Sequence, residues 1–439
     1  MPRLWLISHN YAPEATGIPV YNTGMARWFA ARGWDVEVLT GMPHYPWWKV
    51  PAEYEKKDYR SGRADEWMDG VHVHRVRHFV PGLPVSAKAR MALDASYLRA
   101  WFGRAGTLSE RPDVIVGVAP PFLIGTLLLW LRRKYQVPVV YHIQDLQVDA
   151  ALDLGMLPAW SGYLLRASEA WQLARLDLVT TCGRGMLKRV AAKTPLKLRP
   201  RHWPNWADLK AVWPWEGNNP EREKLRVPAN AVVGLYSGNL GRKQGVEVLL
   251  EATRLLGDEP AWRTVIAGVG AEREALSAHL AGMSNAQLEE LRPIEHLNAF
   301  LGAGDIHIIP QRRSAADLVL PSKLLNILAA GRAVVVTADP GSELHDVVVQ
   351  SGAGLAVPPE NPQALAEALR GLARDPQRRL AMGLAGRRWI MDNLSIDKVL
   401  GRIEHDLHGL IRAHAKQRPA GASKDPKKLP LTRRMLGRV

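Results

Sequence analysis

Three turns in the second half of the chain combine glycine with cations. The first is Val233-Gly-Leu-Tyr-Ser-Gly-Asn-Leu-Gly-Arg-Lys-Gln-Gly245, where an apolar run meets Gly238, Gly241 and Gly245 before a helical stretch. Glycines there let backbone N–H groups approach a phosphate, and a helix N-terminus favours the anion. Arg242 and Lys243 add positive charge. No Gly-Lys-Ser/Thr follows, so this is not a Walker loop. The second turn, Gly268-Val269-Gly270, opens like a dinucleotide fingerprint, but Arg273 stands at the third glycine position. The third is Leu320-Pro-Ser-Lys-Leu-Leu-Asn-Ile-Leu-Ala-Ala-Gly331. Ser322 is the expected N-cap, Lys323 falls in the first turn, and Asn326 lies one turn on, within reach of a ribose hydroxyl. A first-turn lysine opposes the helix dipole, which points to an anion held nearby.

The first half offers less. Ala12-Pro-Glu-Ala-Thr-Gly17 is a loop between a strand and a helix, placed to line a cleft. His142 stands near the carboxyl end of the apolar run Val139-Val-Tyr-His-Ile. His44, His72, His74 and His78 read as ordinary surface or strand residues. No His/Asp/Glu group has metal-ligand spacing, and no nucleophile elbow occurs.

These turns need rigid strands behind them. Strands are predicted at 3–8, 36–40, 71–76, 114–118, 137–143 and 178–181, with helices such as 21–32 and 89–102 between them. Arg199–Asn219, rich in Pro, Trp, Asn and Gly, reads as a linker or hinge. A second series follows: strands 232–237, 263–267, 306–309 and 333–337, with helices 245–256, 272–280 and 322–330 and a further helix capped by Asn361-Pro362. Strand and helix in alternation predict parallel sheets with right-handed crossovers. The expected organisation is two α/β domains, residues 1–205 and 206–390, then a helix 391–411 and a basic tail 412–439 without fixed structure. Ligands of open α/β sheets bind outside the carboxyl ends of the strands.

The chain has 439 residues, of a size for two or three domains, and one cysteine, so neither an intrachain disulfide nor a cysteine-rich zinc site is available. Its apolar content of 47% excludes wholesale disorder. The 58 basic against 43 acidic residues leave a formal charge of +15. Nine basic residues and one acid fall in the last 28 positions. That concentration suits attraction to anionic lipid or nucleic acid. The apolar run before His9 is too short for a signal-peptide core, so no export signal is expected. Residues 114–131 carry no charge but contain Pro120-Pro121 and Gly125, so strand, turn and helix are expected there rather than a membrane span.

Taken together the motifs resemble the family 4 retaining glycosyltransferases of GT-B fold, in the branch that builds colanic acid, related exopolysaccharides and O-antigens, N-acetyl-L-fucosamine transferases included. The resemblance rests on Tyr11-Ala-Pro-Glu…Gly17, Gly33-Trp-Asp-Val-Glu-Val-Leu-Thr…Pro43-His-Tyr-Pro, Gln144-Asp-Leu, Pro204-Asn-Trp-Ala-Asp208, Tyr236-Ser-Gly-Asn-Leu-Gly-Arg-Lys-Gln-Gly, Ala267-Gly-Val-Gly, Asp305-Ile-His-Ile-Ile-Pro and Pro321-Ser-Lys, in this order over residues 4–400. It implies two Rossmann-like domains facing across a cleft, the first for the acceptor and the second for a nucleoside-diphosphate sugar. It implies His142, Lys243 and Lys323 as catalytic residues. The implied donor contacts are Gly17, Gly238, Asn239, Arg242, Gly268, Gly270, Ser322, Leu324 and Asn326. Lys243 and Lys323 are expected to be exposed in the cleft. The final helix, near 389–410, is expected to cross back to the first domain. No metal and no cofactor are implied.

Two departures stand out. The family's paired glutamates, eight positions apart, correspond here to Leu318 and Asn326, with Asp317 one position off, so Asn326 and Asp317 both remain candidates for the ribose. The usual Gly-Arg-Leu…Lys-Gly is replaced by Gly238-Asn-Leu-Gly-Arg-Lys-Gln-Gly. The acceptor implied for this branch is a glycan on polyprenyl diphosphate, so the enzyme is expected in the cytoplasm at the inner face of the plasma membrane. Helix 84–104, with Lys88, Arg90, Arg99 and Arg104 beside Met91, Leu93, Tyr97, Leu98, Trp101 and Phe102, is the expected anionic-membrane contact, together with the tail. Competing readings are a nucleic-acid-binding protein, suggested by charge and 16 tryptophans, and a nucleotide-dependent oxidoreductase. No nucleic-acid-binding module appears, and the oxidoreductase lacks its third glycine.

Overall fold

The structure, a computed structural model, describes residues 1–58, 65–83, 86–108, 110–147, 149, 159–195, 198–241, 244–315 and 320–417. The chain forms two compact units, one of Met1–Cys182, Leu187–Trp203 and Leu400 onward, the other of Gly183–Met186 and Pro204–Val399.

The first unit is built on an eight-stranded sheet of β1 (Arg3–Ser8), β2 (Asp35–Gly41), β3 (Glu66–Met68), β4 (Val71–Val76), β5 (Val114–Ala119), β6 (Val139–Ile143), β7 (Leu178–Thr181) and β8 (Arg201–His202), in the order β3-β4-β2-β1-β5-β6-β7-β8. Every pairing is parallel except β3 with β4. Strand order reverses at β1/β5. The central strands are apolar on both faces because helices cover both: Leu4 through Ile7 and Val114 through Val116 are fully buried. Residues 114–131 divide as expected into β5 and a helix, Ile124–Tyr135. Among the described residues no helix is long and apolar enough to cross a membrane.

The second unit carries β9 (Val232–Asn239), β10 (Trp262–Val269), β11 (Ala286–Glu289), β12 (Ile306–Ile309), β13 (Ala333–Thr337) and β14 (Gly354–Val357), in the order β11-β10-β9-β12-β13-β14. All are parallel. The order turns at β9/β12, so the loops after these two strands diverge and leave a crevice between them.

Several expectations change. The stretch 199–219 is not a loose hinge along its length. Trp206 and Ala207 are buried, the Trp213 amide donates to Asn298 Oδ1 at 2.9 Å, and Asn219 caps the helix Pro220–Lys224. The last part of the chain forms two helices, Pro376–Asn393 and Ile396–Gln417, broken at Leu394-Ser395, so Trp389 belongs to the earlier one. The later helix runs through 412–417, which were expected in the tail. Residues 418–439 lie outside the described residues, as does most of the basic tail with them. From Leu400 this helix belongs to the first unit: Glu404 accepts from Trp34 Nε1 (2.9 Å) and Arg32 Nε (3.2 Å), and Asp406 from Trp203 Nε1 (2.9 Å) and Arg201. The helix Ala87–Arg104 turns Leu93, Tyr97, Leu98 and Trp101 into the core and leaves only Met91 and Phe102 exposed, while Arg104 pairs with Asp65. Its aromatics are spent inward, so most of them are not free for a headgroup layer.

Candidate active site

The crevice at the β9/β12 reversal holds Lys323. It stands in the first turn of the helix Ser322–Ala329, and its Nζ lies over the Tyr236 ring, 4.3 Å from the centroid. It reaches Tyr236 Oη at 3.3 Å and Gln244 Oε1 at 3.5 Å. Tyr236, fully buried at the end of β9, donates in turn to the Asn239 carbonyl at 2.5 Å. All these partners are neutral. Burial therefore pushes the Lys323 ammonium down to about 8. Lys323 is half-buried rather than freely exposed in the crevice, contrary to expectation. A cation among neutral oxygens is a site for an anion.

Ser322 is not the cap. Pro321 takes that position and offers no side-chain acceptor, and Ser322 is the first, exposed helical residue. The helix thus presents first-turn N–H groups without a side-chain oxygen, an arrangement that suits a phosphate. Leu324, expected at the donor, is fully buried in the core and its amide is engaged by the Pro321 carbonyl at 2.9 Å. Asn326 is half-buried one turn on. Asp317 and Leu318, like Arg242 and Lys243, lie outside the described residues.

The glycines have distinct reasons. Gly238 has φ of +151°, and a Cβ there would lie 2.9 Å from Lys323 Nζ, so its absence makes room for the ammonium. Asn239, exposed, ends β9 beside it. Gly268 and Gly270 serve contact between loops instead. A Cβ on Gly268 would lie 2.3 Å from the Gly238 carbonyl oxygen, and one on Gly270 2.4 Å from that of Leu240. Arg273 folds back onto the Gly268 and Glu289 carbonyls, tying the end of β10 to β11. It fills the third glycine position of a dinucleotide fingerprint with a strut.

In the first unit, Gly17 caps the helix Ile18–Ala31 with φ of +76°, at the end of the loop after β1. His142 is buried at the end of β6, with Nδ1 2.9 Å from Thr180 Oγ1. Burial, aided by His202, holds it down at about 3, so it is a neutral imidazole at physiological pH. Tyr236 and Gln244, which position Lys323, were not singled out from sequence, although Tyr236 opens one of the quoted motifs.

The histidines read as ordinary are not at the surface. His44, His74 and His78 are buried, and only His72, on β4, is partly exposed. His9, His44 and His78, from the loops after β1, β2 and β4, bring ligand atoms within 4.8 Å of one another. Glu37, His72 and His74 form a second such group. Separations of 35 and 34 positions hid the first from any reading of spacing.

Comparison with known proteins follows this geometry. Residues 16–206 match the family described as glycosyl transferase 4-like domain, and residues 231–375 match glycosyl transferases group 1. The chain is 33% identical over 410 residues to the colanic acid biosynthesis glycosyl transferase WcaI of Escherichia coli K12, covering 91% of this chain and 98% of that one. It is 28% identical over 402 residues to the D-inositol 3-phosphate glycosyltransferase of Kineococcus radiotolerans, covering 84% and 85%. Among solved structures it resembles sucrose-phosphate synthase from Thermosynechococcus elongatus (TM-score 0.73, 17% identity, 94% and 100% covered). It also resembles Anabaena HepE in complex with UDP-glucose (TM-score 0.64, 14% identity, 93% and 99% covered). These likenesses leave the nucleic-acid and oxidoreductase readings without support. With both halves matched and a relative of this identity aligned almost end to end, the chain belongs to the group 1, 4-like glycosyltransferases and has their two-domain GT-B fold.

Proposed function

We propose that the protein transfers a sugar from a nucleoside-diphosphate sugar to a glycan carried on polyprenyl diphosphate, with retention at the anomeric carbon, in exopolysaccharide or O-antigen synthesis. The observation that carries the donor reading is Lys323, an ammonium with neutral partners at the uncapped N-terminus of a helix. Breaking the sugar–phosphate bond places negative charge on the leaving diphosphate and oxocarbenium character on the sugar. A fixed cation and helix N–H groups aimed at that phosphate stabilise the transition state more than the ground state. Lys243 and Arg242, in the glycine loop, add charge on the same strand-end side. The acceptor hydroxyl oxygen bonds to the anomeric carbon on the face the phosphate leaves, and its proton passes to the departing phosphate oxygen. His142, neutral, acts as a hydrogen-bonding partner of the donor sugar rather than a charge. The relatives named for colanic acid and inositol-phosphate glycosyl transfer support the class of reaction, and the HepE complex supports a nucleotide-sugar donor.

The test is a panel of nucleotide sugars with a lipid-diphosphate sugar acceptor, read by mass spectrometry and by the anomeric proton coupling of the product. Release of nucleoside diphosphate with an inverted anomer would overturn the retaining step. Work on a lipid acceptor also places the protein in the cytoplasm at the inner face of the plasma membrane. Support comes from the basic tail and from Trp47, Phe79, Leu83 and Met91, all exposed in the first unit. Binding to anionic vesicles is expected to fall with salt and to weaken when residues 418–439 are removed. An intact protein that ignores such vesicles at low salt would remove the membrane from this reading.

A further inference from the structure

The group formed by His9, His44 and His78 plays no part in the donor chemistry. All three rings are buried, with ring centroids 4.8 to 5.4 Å apart. Each ring has an oxygen on its Nδ1 side. His44 Nδ1 is 2.9 Å from the Met42 carbonyl, His78 Nδ1 is 2.9 Å from the Phe79 carbonyl, and His9 Nδ1 faces Asp94 Oδ1 at 3.9 Å. An acceptor on Nδ1 holds the proton there and leaves the Nε2 lone pair available, the second-shell pattern that orients metal-binding imidazoles.

What these nitrogens meet is incomplete. His9 Nε2 is buried and has no hydrogen-bond partner among the described residues. His78 Nε2 accepts only the Met42 amide, at 3.1 Å. Beside the triad, Glu14 Oε1 accepts the His44 and Tyr45 amides at 2.8 and 2.7 Å, whereas its buried Oε2 has no partner among the described residues. Gly41 makes room for the group: a Cβ there would lie 2.4 Å from His78 Nε2 and 3.2 Å from His9 Cδ2. An orphaned imidazole nitrogen and an orphaned carboxylate oxygen in one buried cluster ask for a cation.

We propose that His9, His44 and His78 form a binding site for a divalent transition-metal ion of the Zn²⁺ class, held through their Nε2 atoms. Three neutral imidazoles suit Zn²⁺, Co²⁺ or Ni²⁺ and not Mg²⁺ or Ca²⁺, which take oxygen ligands. Nitrogens around one tetrahedral ion stand about 3.4 Å apart, so the present separations close by about an ångström through side-chain rotation. His78 then exchanges the Met42 amide for the ion. The site would tie the ends of β1, β2 and β4 together on the first unit, away from Lys323 in sequence and in role.

The experiment uses the full chain without a histidine tag, stripped with chelator and titrated with Zn²⁺ or Co²⁺ alone. One equivalent is expected to bind, with Co²⁺ giving the visible bands of a nitrogen-rich tetrahedral site. His9→Gln and His44→Gln are expected to weaken binding at least tenfold, and His72→Gln to leave it unchanged. Asp94→Asn, which spares the ligands, is expected to weaken it less. Should a ligand variant fail to fold, imidazole ¹⁵N spectra of the unaltered chain decide: three Nε2 signals move together with Zn²⁺. No binding at micromolar metal overturns the proposal. So does binding that survives His9→Gln and is lost in His72→Gln, which would assign the ion to the Glu37–His72–His74 group.

Discussion

Replacing Lys323 by methionine is expected to make the protein more stable and less active. The methionine keeps the aliphatic stem over Tyr236 and removes the ammonium. In the free protein the ammonium sits among neutral partners, and the shift from 10.5 to about 8 corresponds to about 3 kcal/mol of lost solvation. Its attraction to the Tyr236 face, worth about 1 kcal/mol, is lost as well. The variant is therefore expected to gain about 1–2 kcal/mol at pH 7. The pH dependence has a definite sign. Between about 8 and 10.5 the unfolded chain binds this proton and the native protein does not, so native stability rises with pH through that window. The advantage of the variant is present below pH 8 and shrinks to nothing, or reverses, by about pH 10.5. Turnover, by contrast, is expected to fall about a hundredfold, the scale for losing one group that stabilises charge in the transition state. Denaturant titration at pH 7 and pH 10 reads the first effect, and nucleoside diphosphate release at saturating donor the second. A variant that is less stable at pH 7 and keeps full turnover would refute both the solvation argument and the phosphate assignment.

Lys243→Ala is expected to lower turnover about a hundredfold at saturating donor with little change in melting temperature, measured in the same assays. Gly268→Ala pushes a methyl toward a backbone oxygen 2.3 Å away and is expected to cost about 2–3 kcal/mol in denaturant unfolding. Asp406→Ala removes the acceptor of Trp203 Nε1 and of Arg201 and is expected to cost about 1–2 kcal/mol, seen as a lower unfolding midpoint.

The strands legible in sequence and those missed differ in one physical respect. β1, β7, β12 and β13 lie inside their sheets, covered on both faces, and their uninterrupted apolar runs gave their bounds to the residue. The four strands that no apolar run announced are β3, β8, β11 and β14, which are the four edges of the two sheets. β11, Ala-Gln-Leu-Glu, and β14 are half-buried throughout, so half-wet edges carry mixed residues and little pattern. The candidate site divides similarly. Lys323 was visible because a first-turn lysine works against its own helix. The capping role of Ser322 was misplaced by one residue, because Pro321 before it already has an extended backbone. Leu324 was read as a donor contact, although its place in the helix turns it to the core. The three histidines after β1, β2 and β4 share a place only once the sheet has ordered those strands side by side.

The first unit is discontinuous in sequence: it takes Met1–Trp203 with a short interruption, and then the chain from Leu400. Leu400, Ile403 and Leu407 are buried there, and Glu404 and Asp406 serve as acceptors for Trp34 and Trp203. On the ribosome, the earliest-made part of this protein therefore waits for nearly two hundred further residues before its last helix arrives. At about 5–20 residues per second that is a delay of roughly ten to forty seconds. Throughout it the indole N–H groups of Trp34 and Trp203 lack their carboxylates and the surface meant for the helix stays open. A chimera that exchanges the amino-terminal part at residue 203 alone would carry the same defect permanently; to graft the unit whole, the helix must travel with it.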